Sequence, residues 1–295
     1  MDDTNKLPKL RLAARETIEE MTRRVDRQQR AEGLQRESRL ENSLAPFRVG
    51  SVPHLNAAPL TRGLEDQILY APPSQLAELL RNDQLDAALI SVTEVLFSDR
   101  YDVLDGVAIG SLGEVKSVFL AHRKPLESLR EVYCDTASLT SVNLLKVILA
   151  ERGLHPEYKP LPDYESASNL DAVMLIGDHA LNFLFSGPPH EILDLGAAWS
   201  ELTSLPFVYA VWALRRGVEN EKLRRILLEA KDFGLDTMET LLLSRNEYDY
   251  DFRKDYLTWH IHYHFGTDER CGLNKFAELL QKHQQSPIYP IHFVA

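Results

Sequence analysis

Short β-prone runs that stop at a loop and restart as an apolar helical stripe recur along this chain, and that alternation restricts it to an α/β fold. The first instance is Arg48 to Leu60. Arg48 to Val52 is strand-like, with Val49 and Val52 as its branched residues. Pro53 cannot donate to a ladder and ends the run. A compact loop comes next, and Pro59 suits the first position of a helix. Ligands of α/β proteins sit beyond the carboxyl ends of the strands, where such loops lie. Asn56 stands in this loop as a lone neutral polar side chain between Leu55 and Ala57. Two readings stay open: an amide that binds a ligand, or a residue that tolerates a left-handed turn or caps the next helix.

The pattern continues. Leu76, Leu79 and Leu80 share one face of a helix that Ser74 is placed to cap. Leu85 to Ile90 reads as a buried strand and delivers Ser91 and Thr93 into the next loop. Val107 to Ile109, Ser117 to His122 and Glu131 to Cys134 are further strand-like runs. Asp135 to Ser141 then leads into a helix through Arg152, with Gly153 as its C′ residue. Ala172 to Ile176 is a strand that feeds Gly177 and Asp178, and Ile192 to Leu195 and Phe207 to Leu214 are strands. Beyond Asn220 only helices are expected; the last places Leu273, Phe276, Leu279 and Leu280 inward.

This order predicts two α/β lobes with a ligand cleft between them. Residues 123–203 would form the second lobe, inserted into a first lobe made of 47–122 and 204–295. Residues 1–46 are a charged extension, helical or disordered. Arg23 to Arg30 and Gln35 to Glu41 lack an apolar stripe and bury too little to fold alone. The sequence names no protein partner for this arm.

Composition narrows the partners. A net charge of -11 over 295 residues argues against nucleic acid, which needs a basic face. It leaves room for an anionic small molecule, because backbone N–H groups and hydroxyls also bind anions. Cys134 and Cys271 stand apart and unaccompanied, so neither a disulfide framework nor a zinc site is expected. No apolar run approaches the roughly 18 residues of a membrane span, and no signal peptide opens the chain. A cytoplasmic protein without a membrane partner is the expectation.

Several loops could carry chemistry. Asp135 to Ser141 holds Thr136, Ser138, Thr140 and Ser141 ahead of an apolar helix. The first N–H groups of a helix lack partners and its dipole favours negative charge there. Ser138, Thr140 and Ser141 could join them around a carboxylate, although ordinary capping needs only one hydroxyl. Asp178 either touches a ligand hydroxyl or caps its own helix, and Ser91 and Thr93 have the same two readings. His260 to His264 contains three histidines, but on a helix only His260 and His264 share a face. Phe252, Tyr256, Trp259 and Tyr263 follow helical spacing there, so a packed aromatic helix is expected and a metal is not. No Gly-x-Gly-x-x-Gly, phosphate loop or Gly-x-Ser-x-Gly elbow is present, which leaves no sign of a nucleotide cofactor or a serine nucleophile.

Five segments taken in order carry a resemblance. They are Val52-Pro-His-Leu-Asn-Ala-Ala-Pro-Leu60, Leu85 to Val95, Cys134-Asp-Thr-Ala-Ser-Leu-Thr-Ser141, Leu175-Ile-Gly-Asp-His-Ala-Leu181 and Asp194 to Trp212. Together they resemble the chorismate dehydratase family of the futalosine route to menaquinone, relatives of type II periplasmic binding proteins, from about Phe47 to Leu280. The resemblance implies a two-lobed fold and a carbon-oxygen lyase that removes water from chorismate, a dicarboxylate, to give 3-[(1-carboxyvinyl)oxy]benzoate without a cofactor. It carries the family's functional Asn to Asn56 and its functional Ser to Ser91, which would hydrogen-bond the departing hydroxyl. His54, Thr93, Ser138, Thr140, Ser141, Gly177 and Asp178 become candidates for substrate binding. His54 stands where the family usually has Tyr, and Leu139 where it usually has Arg. The rival expectations are a non-catalytic solute-binding or ligand-sensing protein of the same fold, and the sister dihydroxynaphthoate synthase.

Overall fold

The computed structural model describes residues 18–217, 220–284 and 287–295. Of the expected N-terminal extension, residues 1–17 lie outside the described residues. The rest of the extension is mostly one helix, α1 (Ile18–Leu40). It is supported from within: Gln28 Nε2 donates to Glu32 Oε1 one turn later, at 2.8 Å. Arg39 occupies the last turn, where a cation opposes the helix dipole. Among the described residues, those through Arg39 form one compact unit and those from Leu40 onward form a second.

The second unit holds two sheets. Strands β1 (Val49–Ser51), β2 (Ile68–Tyr70), β3 (Ala87–Ser91) and β4 (Tyr101–Ser111) open the first. The chain then builds the second sheet from β5 (Val118–His122), β6 (Glu131–Cys134), β7 (Glu157–Pro160), β8 (Ala172–Ile176) and β9 (Glu191–Asp194). It returns to the first with β10 (Phe207–Arg215) and β11 (His292–Val294). The six-stranded order is β11-β4-β10-β3-β1-β2 and the five-stranded order is β7-β6-β8-β5-β9. β10 lies antiparallel between β3 and β4, with Ala210 opposite Ser91 and Leu214 opposite Ala87.

Val118–His122, expected as a crossing between the lobes at the end of 47–122, pairs antiparallel with β8 and β9 in the second sheet. Every residue of this strand is buried, which suits a central position covered on both faces. Beyond Asn220 the chain is not purely helical, because β11 adds to β4. β2 and β11 escaped notice because both are three-residue edge strands with exposed positions and no alternating pattern.

Helices α2 (Pro73–Arg81), α3 (Val92–Leu96), α4 (Leu139–Glu151), α5 (Gly177–Phe185) and α6 (Leu195–Thr203) connect the strands. Near the C-terminus come α7 (Glu221–Asp236), α8 (Met238–Ser244), α9 (Tyr250–Asp255) and α10 (Thr267–Gln284). Ser74 does not cap α2; Pro72 is the N-cap and Pro73 the first helical residue, a position where a missing N–H is harmless. The helix expected from Pro59 is a 3₁₀ turn over Leu55–Thr61 with Pro59 inside it. The aromatic helix expected through His264 ends early. α9 passes into a π-turn over Tyr256–His260, after which the backbone is extended. His262 and Gly110 then exchange hydrogen bonds of 2.7 and 2.9 Å, so pairing with β4 replaces the next helical turn.

Helix α7 packs directly on the 3₁₀ turn. A Cβ at Gly234 would stand 1.9 Å from the Pro59 carbonyl oxygen, so only glycine permits this approach. Trp199, Phe207 and Phe276 meet edge-to-face at ring separations of 4.9 to 6.0 Å and join α6, β10 and α10. Where β1, β3 and β10 run side by side, Asp86 accepts from Arg48 Nη2 at 3.0 Å and from Arg215 Nη2 at 2.8 Å. Burial pushes the Asp86 carboxyl upward, but the hydrogen bonds and charges of Arg48 and Arg215 together hold it below the usual carboxylate range.

Candidate active site

The carboxyl ends of β1, β3 and β8, the start of β5, the middle of β10 and the start of α4 enclose one cavity of about 560 Å³, its open mouth included. That size suits a small organic ligand. Val52, Leu89, Ile109, Ile176 and Ile261 supply apolar wall. The polar lining is Asn56, Ser91, Ser117, Ser138 and Ser141, with His54 and Tyr209. Among the described residues no Lys, Arg, Asp or Glu lines it, and burial keeps the Tyr209 phenol neutral by raising its pKa well above the ordinary value.

The 3₁₀ turn after β1 aims Asn56 into this space. Its Oδ1 is buried with no hydrogen-bond partner. The hydroxyl of Tyr256, the first residue of the π-turn, lies nearby. That hydroxyl donates to Ser117 Oγ at 2.7 Å. Burial pushes the Tyr256 phenol far above the ordinary tyrosine value, and the bond to Ser117 offsets only part of that.

A second group of hydroxyls faces the first. Ser91 at the end of β3 and Ser138 at the N-cap of α4 bring their Oγ atoms to 3.4 Å. Ser138 Oγ is 3.0 Å from Ser141 Oγ and accepts from the Ser141 N–H at 3.3 Å. Ser138 and Ser141 share a face because they are three residues apart. Thr140 falls on another face: its Oγ1 accepts from the Thr93 N–H at 3.0 Å, fastening α3 to α4 away from the cavity. Thr93 and Thr140, expected to touch a ligand, are fully buried and do not line the space. Leu139 does not line it either.

At the rim, His54 Nδ1 meets Asp178 Oδ2 at 3.2 Å. Gly177 lines the cavity with φ +56°, and a Cβ there would come within 3.1 Å of the His54 ring. Asp178 stands behind this contact and forms no part of the lining. Its backbone carbonyl is 3.5 Å from the Tyr248 hydroxyl, which also donates to Asn182 Oδ1 at 3.1 Å. Burial raises the Tyr248 phenol to about 12.

Asn56, Ser91, Ser138, Ser141, His54 and Gly177 thus surround one space although they span 123 positions from His54 to Gly177 in steps set by separate strands. Sequence reasoning missed Ser117 and Tyr256. Ser117 sits at the amino end of a strand rather than in a loop beyond one. Tyr256 looked like one aromatic among several on a helical face, and the π-turn that re-aims it leaves no local sequence sign.

Residues 47–282 match the model of a family described as menaquinone biosynthesis. The chain belongs to that family. This menaquinone-biosynthesis family member is 34% identical over 260 residues to the chorismate dehydratase of Thermus thermophilus, an alignment covering 80% of the present chain and 96% of the relative. A structural-genomics protein of Archaeoglobus fulgidus shares its fold with a TM-score of 0.65 at 18% identity, over 81% of this chain and 98% of the other. The periplasmic aliphatic sulphonate binding protein SsuA of Escherichia coli does so with a TM-score of 0.57 at 15% identity, over 82% and 93% of the two chains. The family member therefore has the two-lobed architecture of type II periplasmic binding proteins, with its cavity lined from both sheets.

Proposed function

We propose that this protein is a hydro-lyase that dehydrates chorismate to 3-[(1-carboxyvinyl)oxy]benzoate within menaquinone biosynthesis. The observation that carries the proposal is the likeness to a chorismate dehydratase along 96% of that enzyme's length, together with a family match over residues 47–282 that contains every cavity residue named above. The neutral lining suits the chemistry. Aromatisation drives the elimination, so no strong acid or base need come from the protein.

The C–H electron pair at ring C3 becomes the C3–C4 π bond, and the C4–O bond breaks with its electrons going to oxygen. The substrate's own enolpyruvyl carboxylate takes the C3 proton when the cavity holds it over that atom. The proton passes to the departing hydroxide, which leaves as water. The protein contributes orientation, worth several kcal/mol for a well-held conformer. It adds hydrogen bonds aimed at the charge that develops on the leaving oxygen.

Asn56 and Ser117 are assigned to the C4 hydroxyl, because both line the cavity, one with an unpartnered Oδ1 and the other with a hydroxyl hydrogen left over by Tyr256. Ser91, Ser138 and Ser141, grouped at the start of α4, are assigned to a substrate carboxylate, which also gains from the dipole of that thirteen-residue helix. Ser91 thereby moves from the departing hydroxyl, its expected partner, to the carboxylate side. His54 closes the rim.

Incubation of the purified protein with chorismate tests the proposal, followed by ultraviolet absorbance and mass spectrometry of the product. An aromatic product one water lighter than chorismate is expected. Saturable binding without product would make the protein a binder and sink the assignment.

A further inference from the structure

We infer that Tyr256 is a positioning residue whose hydroxyl sets Ser117 as the hydrogen-bond donor towards the substrate hydroxyl. The inference rests on the reading of this cavity as the dehydration site. It starts from counting protons. A tyrosine hydroxyl has one hydrogen, and that of Tyr256 goes to Ser117 Oγ at 2.7 Å. Ser117 lines the cavity, and its Oγ has no other hydrogen-bond partner among the described residues. Its own hydrogen is therefore left for whatever occupies the cavity. On the other side, Asn56 also lines the cavity, and its Oδ1 is buried and unpartnered, which leaves it as an acceptor.

Asn56 presents an acceptor and Ser117 a donor, which is the complement of a single alcohol group that both gives and receives a hydrogen bond. The C4 hydroxyl of chorismate is such a group: its hydrogen goes to Asn56 Oδ1 and its oxygen takes the Ser117 hydrogen. As the C4–O bond breaks, electron density gathers on that oxygen and the Ser117 bond strengthens. The carboxylate that removed the C3 hydrogen returns a proton to the same oxygen, so one water leaves and no redox partner is required.

The fold holds Tyr256 firmly enough for this. Its side chain is 1% exposed, and its ring lies parallel to Phe252 at 5.6 Å. The π-turn that begins at Tyr256 is tied by His260, whose Nδ1 is 2.8 Å from the Glu114 carbonyl and whose Nε2 is 3.0 Å from Asp255 Oδ2. π-turns interrupt a helix to redirect a side chain, and here the redirected side chain is the phenol.

A double-mutant cycle of Tyr256→Phe and Ser117→Ala, read as kcat and KM for chorismate with circular dichroism melting as the fold control, tests this. Tyr256→Phe is expected to lower kcat about ten- to a hundredfold with KM changed less than about threefold. The double variant is expected to match Ser117→Ala alone, because the tyrosine acts through the serine. A Tyr256→Phe enzyme with unchanged kcat, a loss confined to KM, or losses that multiply in the double variant would each overturn the inference. If Tyr256→Phe does not fold, 3-fluorotyrosine at position 256 replaces it. A change in kcat is then expected in the Ser117 protein and not in Ser117→Ala; equal changes in both overturn the idea. Wild-type protein that leaves chorismate untouched would instead remove the functional reading, and this inference with it.

Discussion

His54 Nδ1 and Asp178 Oδ2 stand 3.2 Å apart, joining the loop after β1 to the first turn of α5 on the other sheet. The side chains are 20% and 39% exposed, so the pair itself is worth under about 1 kcal/mol of stability. Its effect is expected on occupancy of the cavity. His54→Ala should raise KM for chorismate about three- to tenfold, with a smaller change in kcat and a melting curve close to wild type. Steady-state kinetics decide it; an unaltered KM means the contact plays no part in holding substrate.

Asn56 has no protein partner for its Oδ1, so its removal forfeits little folding energy. Asn56→Ala should cut kcat by about a hundredfold or more and change unfolding free energy by less than about 1 kcal/mol. Ser91→Ala should cost less in kcat and more in KM, because Ser91 sits with Ser138 on the carboxylate side. Kinetics of the two variants side by side check this ordering, and a reversed order refutes the division of roles.

Gly177 has φ +56°, and an added methyl would meet the His54 ring at 3.1 Å. Gly177→Ala should destabilise by about 1–2 kcal/mol from backbone strain and should raise KM by displacing His54. Urea unfolding and kinetics on the same preparation measure both. A variant with strain but normal KM would show that the ring swings aside without consequence.

The Asp86 carboxyl is held below its unfolded value by Arg48 and Arg215, after these overcome the opposing effect of burial. A lowered folded pKa makes the unfolded chain bind protons first. The stability this gives is present above roughly pH 4 and is lost as pH falls through the lower folded value. Asp86→Asn should therefore cost about 2–3 kcal/mol at neutral pH, where it leaves two guanidinium groups short of a partner. It should also flatten the decline in urea midpoint between about pH 5 and 3. Parallel acid slopes for variant and wild type would contradict the argument.

Local rules applied well where one strand hands over to one loop. Pro53 ends β1, Ser91 closes β3 and Ser138 caps α4, and all three loops reach a single cavity. The rules lost ground where long-range pairing decides. Nothing near His262 announces that it will pair with Gly110, yet that pairing ends the helix and fixes the π-turn bearing Tyr256. Thr93 and Thr140 had the right chemistry for a ligand, but helix phase turns Thr140 towards the backbone of Thr93. Edge strands β2 and β11 are too short to show alternation.

Gly234 brings the axis of α7 against the Pro59 carbonyl, in the turn that carries Asn56. Two main chains in direct touch leave no rotamers between them to take up slack. The amide's height above the sheet is then a property of where the helix lies, and thermal adjustment of side chains cannot retune it. On this half of the chamber, chemical alignment is thus set by one main chain resting on another.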